Sequence, residues 1–200
     1  MRKGLKSLAL VLAITLGGAV AQAWEWTSYC GNLDGNKWLL KAGIGYGYSV
    51  IRGKYKGDAG DWWPGKWRVY GSGFIIPIQG EFLLEKIPLG ITAQVRPMFG
   101  NTGWGKAVDF TIMAGANYHV APGPDWLDLY AGLGLGVHIM SSKESEAYWD
   151  EGKYHSAKIS GAGFAFDAHI GATFMFNQHM GVGVEFGWPN YATASFSFAF

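Results

Sequence analysis

The residues able to do chemistry are few, and they lie at alternating positions in otherwise apolar, glycine-rich stretches. They are Lys41, Glu81, Arg96, Asp109, Asp167, His169 and Glu185. Asp167-x-His169 together with Glu185 is the densest group, and it places an imidazole among carboxylates. Such a group forms an internal hydrogen-bond network more often than a metal site. The other histidines are scattered. No metal ligand set, no cofactor and no cofactor-binding residue is therefore expected. His155-Ser156, near Glu144 and Glu146, is an adjacent imidazole–hydroxyl pair. A Ser–His mechanism needs the two in hydrogen-bond contact and a third group orienting the base. Neighbours on a strand point to opposite faces, so this pair is badly placed to react with itself. It reads as a loop-end His and Ser. No catalytic residue is assigned, and the chain is not expected to be an enzyme.

What must position the seven charged or imidazole groups is a set of strands. Period-2 alternation runs almost throughout the chain after residue 36, which is the β signature. We read eight strands: 37–50, 68–84, 88–99, 106–119, 127–140, 157–176, 179–188 and 191–200. One face carries residues such as Leu40, Ile44, Ile78, Phe82, Ile91, Phe110, Leu133, Leu135, Phe164, Phe166, Ile170, Val184 and Phe196, with no charge anywhere on it. The other carries Gly43, Gly45, Gly47, Gly132, Gly134, Gly136, Thr92, Thr111, Asn117 and the seven groups named above. An eight-stranded barrel has an interior only wide enough for side chains to fill. Glycine, serine, threonine and a few paired ions fit there; the Phe, Leu and Ile set does not. The apolar face therefore points outward, and its solvent is lipid. A lysine or arginine at mid-bilayer on that face would cost roughly 2–4 kcal/mol. The fold class expected is all-β: an antiparallel, up-and-down transmembrane barrel.

Buried ions must be paired or each costs several kcal/mol. Counting outward from the hairpin centres predicts two lumenal salt bridges, Arg96–Asp109 and Lys41–Glu81, with Asp167 and His169 opposite or next to Glu185. These groups read as a polar plug. A gated cation path through Asp109, Asp167 and Glu185 is the other reading.

Length suits a single domain. Sixteen basic against 15 acidic residues give no electrostatic case for nucleic acid. Residues 1–23 read as a signal peptide, with Arg2, Lys3 and Lys6 before an apolar run and Ala21-Gln22-Ala23 as the cleavage site. Residues 24–36 read as a periplasmic N-terminal segment and 37–200 as the barrel. Cys30 is the sole cysteine; it reads as a free thiol near a mobile N-terminus, with an intermolecular disulfide as the alternative. With both termini periplasmic, the turns at 85–87, 120–126 and 177–178 are short, and 51–67 and 141–156 are long outer loops. The shorter outer connections are 100–105 and 189–190. Tyr46, Tyr48, Tyr70, Trp104, Trp188 and Tyr191 are expected in an outer aromatic girdle, and Trp38, Tyr118 and Trp126 in an inner one.

The last residues, Ala194-Ser195-Phe196-Ser197-Phe198-Ala199-Phe200, resemble the C-terminal strand of small bacterial outer-membrane barrels. The comparison is with OmpX-like proteins and the transmembrane domain of OmpA, and more distantly with OmpW-like ones. The resemblance implies that Phe196, Phe198 and Phe200 form the signal read by the barrel-assembly machinery. It implies a cell-outer-membrane location with outer-membrane lipid and lipopolysaccharide as partners. The role expected is structural or surface-interacting. The alternative is a narrow channel for small solutes or hydrophobic molecules, and the third is a lipid-A-modifying enzyme. Arg52, Lys54, Lys56 and Lys66 interleaved with Tyr55, Trp62, Trp63 and Trp67 make loop 51–67, with loop 141–156, a candidate contact for lipopolysaccharide phosphates or a host surface.

Overall fold

The computed structural model describes residues 28–56, 66–102, 105–144, 148–150, 153–155, 158–188 and 191–200. The signal peptide and Trp104 fall outside them. The strands are β1 (Trp38–Lys56), β2 (Lys66–Ile75), β3 (Ile78–Leu83), β4 (Leu89–Thr102), β5 (Gly105–Val120), β6 (Leu127–Glu144), β7 (Tyr148–Asp150), β8 (Lys153–His155), β9 (Lys158–Met175), β10 (Met180–Trp188) and β11 (Tyr191–Ala199). All pairings are antiparallel, and β1 pairs β11 from Leu39↔Ala199 to Gly47↔Tyr191, which closes the sheet into a barrel.

The barrel has eight staves, because β2 and β3 are one stave. Pro77 has no N–H to give to the ladder, so the strand assignment breaks at Ile76-Pro77. The register does not break: β1 and β4 each pair β2 and β3 in continuous sequence. The carbonyl of Pro77 still accepts from Gly43 N at 3.0 Å, and Ile76 N donates to Pro97 O at 3.0 Å. The two short strands β7 and β8 form a separate ribbon between β6 and β9.

Alternation sorts the faces as the pattern requires. Ile44, Ile78, Phe110, Leu135, Phe166, Ile170 and Phe196 are exposed on the outside, while Gln79, Glu81, Thr92, Asp109, Thr111, Asn117 and Ser197 are buried inside. Tyr46, Tyr48, Tyr70 and Trp188 are exposed toward one end, and Trp38, Tyr118 and Trp126 toward the end that carries Phe200.

Three expectations need correction. The strands run further than the apolar pattern does. β1 reaches Lys56 and β6 reaches Glu144, so much of 51–67 and 141–156 is strand. β4 and β5 pair up to Thr102↔Gly105, which leaves a two-residue connection where six were expected. A ladder continues on backbone hydrogen bonds after the lipid-facing pattern stops, and alternation of apolar residues cannot mark that part. Tyr191 is not a girdle residue: it is 5% exposed and lies inside the barrel. Nor is the segment before β1 loose. Tyr29, Cys30 and Leu33 pack with Leu39, Leu83, Ala121, Met175 and Ala199 across the Phe200 end of the barrel.

Among the described residues the wall is also interrupted beside the β10–β11 hairpin. β10 and β11 are short, and their pairings stop at Trp188↔Ala168 on the β9 side and at Gly47↔Tyr191 on the β1 side. Beyond that hairpin β1 and β9 pair directly, at Lys54↔Ser160 through Lys56↔Lys158. Between those limits the facing edges of β1 and β9 share no ladder.

Candidate functional site: an ion network filling the lumen

The lumen is filled by side chains in successive levels. Nearest the Phe200 end lies the N-terminal seal. Tyr29 Oη donates to Leu89 O at 2.9 Å and accepts from Leu84 N at 3.0 Å. Asn32 N donates to Asp125 O at 3.0 Å. Burial, opposed in part by the Leu84 N–H, pushes the Tyr29 phenol up to about 12. Burial also pushes the free Cys30 thiol up to about 12, with Asp128 nearby adding to it.

Above the seal, Glu81 is fully buried and is met from three sides. Lys41 Nζ is 3.5 Å away, Asn117 Nδ2 donates at 3.1 Å, and His119 Nε2 lies at 2.8 Å. The other His119 nitrogen faces Asp128 Oδ2 at 2.8 Å. Lys41 Nζ also sits 3.7 Å from the centre of the Tyr130 ring. It finds no aligned hydrogen-bond acceptor, so charge attraction and the ring face hold it.

The next level joins Asp167, His169, Glu185, Arg96 and two tyrosines. His169 Nδ1 meets Asp167 Oδ2 at 2.6 Å, and its Nε2 lies 2.8 Å from Asn117 Oδ1 and 3.9 Å from Glu185. Glu185 accepts from Tyr130 Oη at 3.0 Å and Tyr191 Oη at 2.8 Å. Arg96 pairs with Asp167 at 3.5 Å and lies over the Tyr191 ring, 4.3 Å from its centre. Two glycines make room for this level. A Cβ on Gly132 would meet Asn117 and His169 within 2.4 Å, and one on Gly171 would meet the Tyr130 ring at 2.2 Å.

Farther still, Asp109 accepts from Ser49 Oγ, from Thr111 Oγ1 at 3.3 Å, and faces His138 Nδ1 at 3.3 Å. Met98 and Met140, both buried, flank this level.

All seven residues singled out from the sequence line the lumen. Lys41 and Glu81 form an ion pair, and Asp167, His169 and Glu185 come together. Arg96 and Asp109 do not pair. The β4–β5 connection is centred one residue later than expected, because β4 extends further than β5 does, and this shifts the register by two, so Arg96 lies opposite Thr111 and Asp109 opposite Met98. A shift of two keeps each side chain on its face but changes its partner. Arg96 instead reaches across to β9. His119, Asp128, Tyr130, Ser49 and His138 belong to the network and were not among the seven, and so does Asn117, which was expected on the glycine-rich face. Extending the inward parity of β5 and β6 to His119 and Asp128 would have found two of them. Ser156 lies outside the described residues, as does the side chain of His155.

No grouping of three or more His, Cys, Asp or Glu suited to a metal occurs among the described residues. Among the described residues the arrangement brings carboxylates, imidazoles and phenols into contact. Where Ser49, Asp109 and His138 meet, hydroxyl and imidazole both address the carboxylate and not each other.

A closed antiparallel barrel with eight staves, a lipid-like exterior and an ion-paired lumen is the fold of small outer-membrane barrel proteins. The outer membrane protein OprG from Pseudomonas aeruginosa shares it, at 11% identity over 84% of this chain and 97% of that one, with a TM-score of 0.50. Ail, the attachment invasion locus protein of Yersinia pestis, aligns at 12% identity over 80% of this chain and 95% of that one, with a TM-score of 0.39. No protein-family profile and no curated protein sequence matches the chain.

Proposed function

We propose that this is an exported, integral outer-membrane barrel with a structural or surface-interaction role. The observation that carries the reading is the division of the faces. Across the middle of all eight staves, from Leu40 to Val50 on β1 round to Ala192 to Phe198 on β11, outward positions hold exposed, mainly apolar residues and no charge; exposed Lys106 comes only at the loop end of β5. Water would not tolerate so large a continuous apolar surface on a monomer; hydrocarbon requires it. The Phe200 end, with its short turns, is then periplasmic, and the ribbon ends of β1, β2, β6 and β9 are at the cell surface. The filled lumen favours a plugged barrel over a channel, and nothing in the network calls for a reaction. Phe196, Phe198 and Phe200 would present the assembly signal, and segments 51–67 and 141–156 would meet lipopolysaccharide or a host surface.

Measurements of location, conductance and surface binding test this. The protein should fractionate with outer membranes and run as a heat-modifiable band in electrophoresis. In planar bilayers it should stay silent. A sustained conductance lowered by Glu185→Gln would replace the plug with a cation path. Replacing residues 57–65 by a short glycine–serine linker should reduce cell adhesion or lipopolysaccharide binding; undiminished binding removes the surface role from that segment.

A further inference from the structure

The break in the wall above the β10–β11 hairpin has a cavity behind it. Its volume is about 140 Å³, close to the size at which an engineered protein cavity admits a ring of about six heavy atoms. Outward-facing Tyr48 and Val50 of β1 and Phe164 and Phe166 of β9 line it together with lumenal Asp109 and His138. Residues from both faces line this space, and the strand edges beside it carry no ladder to close it. The opening therefore falls where β1 and β9 share no ladder.

The unpaired strand edges fix the level of this window. Backbone N–H and C=O groups without partners are not tolerated against hydrocarbon. The aromatic residues around the opening, Tyr46, Tyr48 and Trp188, are exposed and suit the membrane–water interface. Water and headgroups can reach an opening there.

The charge inside is unbalanced. Asp109 is 1% exposed, and its acceptors are met by Ser49, Thr111 and His138, with no lysine or arginine pairing it among the described residues. Arg96 also lines the cavity, but its charge is opposed by Asp167, and it lies against the Tyr191 ring. Glu185, joined to Asp167 through Tyr191 Oη, adds another carboxylate behind. A carboxylate wall with aromatic rings at the mouth is the chemistry that holds an organic cation. The Arg96–Asp167–Tyr191 level lies at the inner end of the space.

We infer that the window admits a small primary ammonium group, of ethanolamine size, which binds against Asp109 between the aromatic side chains of β1 and β9. Such a group can come from a membrane headgroup or from a soluble amine. Only the headgroup source rests on the membrane placement proposed above.

The test is a titration of the whole barrel in an uncharged maltoside detergent, followed by amide NMR. The probes are ethanolamine hydrochloride, sodium acetate and the neutral 1,2-ethanediol. Ethanolamine should shift the Ser49, Thr111 and Phe164 amides saturably, acetate should not, and ethanediol should bind at least tenfold more weakly. Asp109→Asn should weaken ethanolamine binding at least tenfold. Ala165→Leu, which fills the cavity and keeps Asp109, should abolish it and covers the case in which Asp109→Asn does not fold. Equal binding of ethanediol, a preference for acetate, or ethanolamine binding that survives Ala165→Leu overturns the inference. Repeating the titration in nanodiscs separates the sources. A lower apparent affinity in phosphatidylethanolamine than in phosphatidylglycerol discs marks the headgroup as occupant; equal affinities mark the soluble amine.

Discussion

Removing Glu81 should be the most damaging single change in the lumen that alters no backbone. Glu81 is 0% exposed and Lys41 4%. Their charged atoms are 3.5 Å apart, and Lys41 Nζ has no aligned hydrogen-bond acceptor to fall back on. In Glu81→Leu the ammonium keeps only the Tyr130 ring, and His119 keeps only Asp128. Breaking a buried pair by deleting one partner costs about 3–5 kcal/mol, because the remaining charge stays desolvated. A cation–π contact recovers only about 2 kcal/mol even when desolvated, and here it exists already. Glu81→Leu should therefore lower stability by about 3–5 kcal/mol. Lys41→Met combined with Glu81→Leu removes both charges at similar volume and should recover most of that loss, leaving the imidazole–Asp128 contact intact. The assay is urea unfolding in lipid vesicles, read by tryptophan fluorescence, with equal slopes required for comparison. A loss under about 1 kcal/mol for Glu81→Leu, or a double variant as unstable as the sum of its singles, refutes the argument that pairing sets the cost.

Three further outcomes are expected. Gly171→Ala should destabilise by about 1–3 kcal/mol, since its Cβ meets the rigid Tyr130 ring at 2.2 Å, whereas Gly80→Ala, with only Leu40 at 3.6 Å, should change the same unfolding curve by less than about 0.5 kcal/mol. Leu135→Arg on the lipid face should cost roughly 2–4 kcal/mol in the vesicle assay, and a neutral result would count against the membrane placement. The N-terminal seal should be pH-sensitive at the alkaline end. The Tyr29 phenol is raised from 10.0 to about 12, so its contribution is complete below pH 10 and is lost as pH rises toward 12. Protease cleavage ahead of β1 should accelerate across that window in the wild type and not in Tyr29→Phe. In the same experiment Cys30, its thiol raised to about 12, should react with maleimide only after the seal opens.

The stave count, the face assignment and the lumenal location of the charged groups were legible because one rule governs them. Alternation with a period of two says which side of the sheet each residue occupies, and a volume argument says which side is inside. Pairing is a different matter. It depends on where each connection is centred, and the β4–β5 connection was centred one residue too early because Gly100, Asn101 and Thr102, which extend β4, carry no apolar pattern. Arg96 was consequently given the wrong partner, while Lys41 and Glu81 come within reach as diagonal neighbours, since Lys41 itself lies opposite Gln79. Tyr191 resembled a girdle residue by type, but its parity with Thr193 and Ser195 is inward. The seal made by Tyr29, Cys30 and Leu33 had no local signature, because it is defined by what the segment packs against. The short β10–β11 hairpin was legible as short, but its consequence for the wall was not. That consequence follows from the lengths of β1 and β9 together.

The seam between β1 and β11 bears on how the molecule comes into being. Apart from the short β1–β9 contact at Lys54 to Lys56, eight lateral joints hold the wall; seven link staves that follow one another along the chain, and each can zip outward from its own turn. The eighth joins Leu39 to Ala199, with Lys37 N and Trp38 N donating to Phe200 O at 2.9 and 2.8 Å and Phe200 N donating to Trp38 O at 2.9 Å. Closing a loop of that length is the entropically dearest contact in the structure, and it gains nothing until both edges are complete. Until the final phenylalanine arrives, the nascent sheet is an open ribbon with two unsatisfied borders, vulnerable to pairing with any other strand it meets. Zippering is gradual, but becoming a barrel is a single late event, and a chain lacking its last few residues would stop one joint short of it.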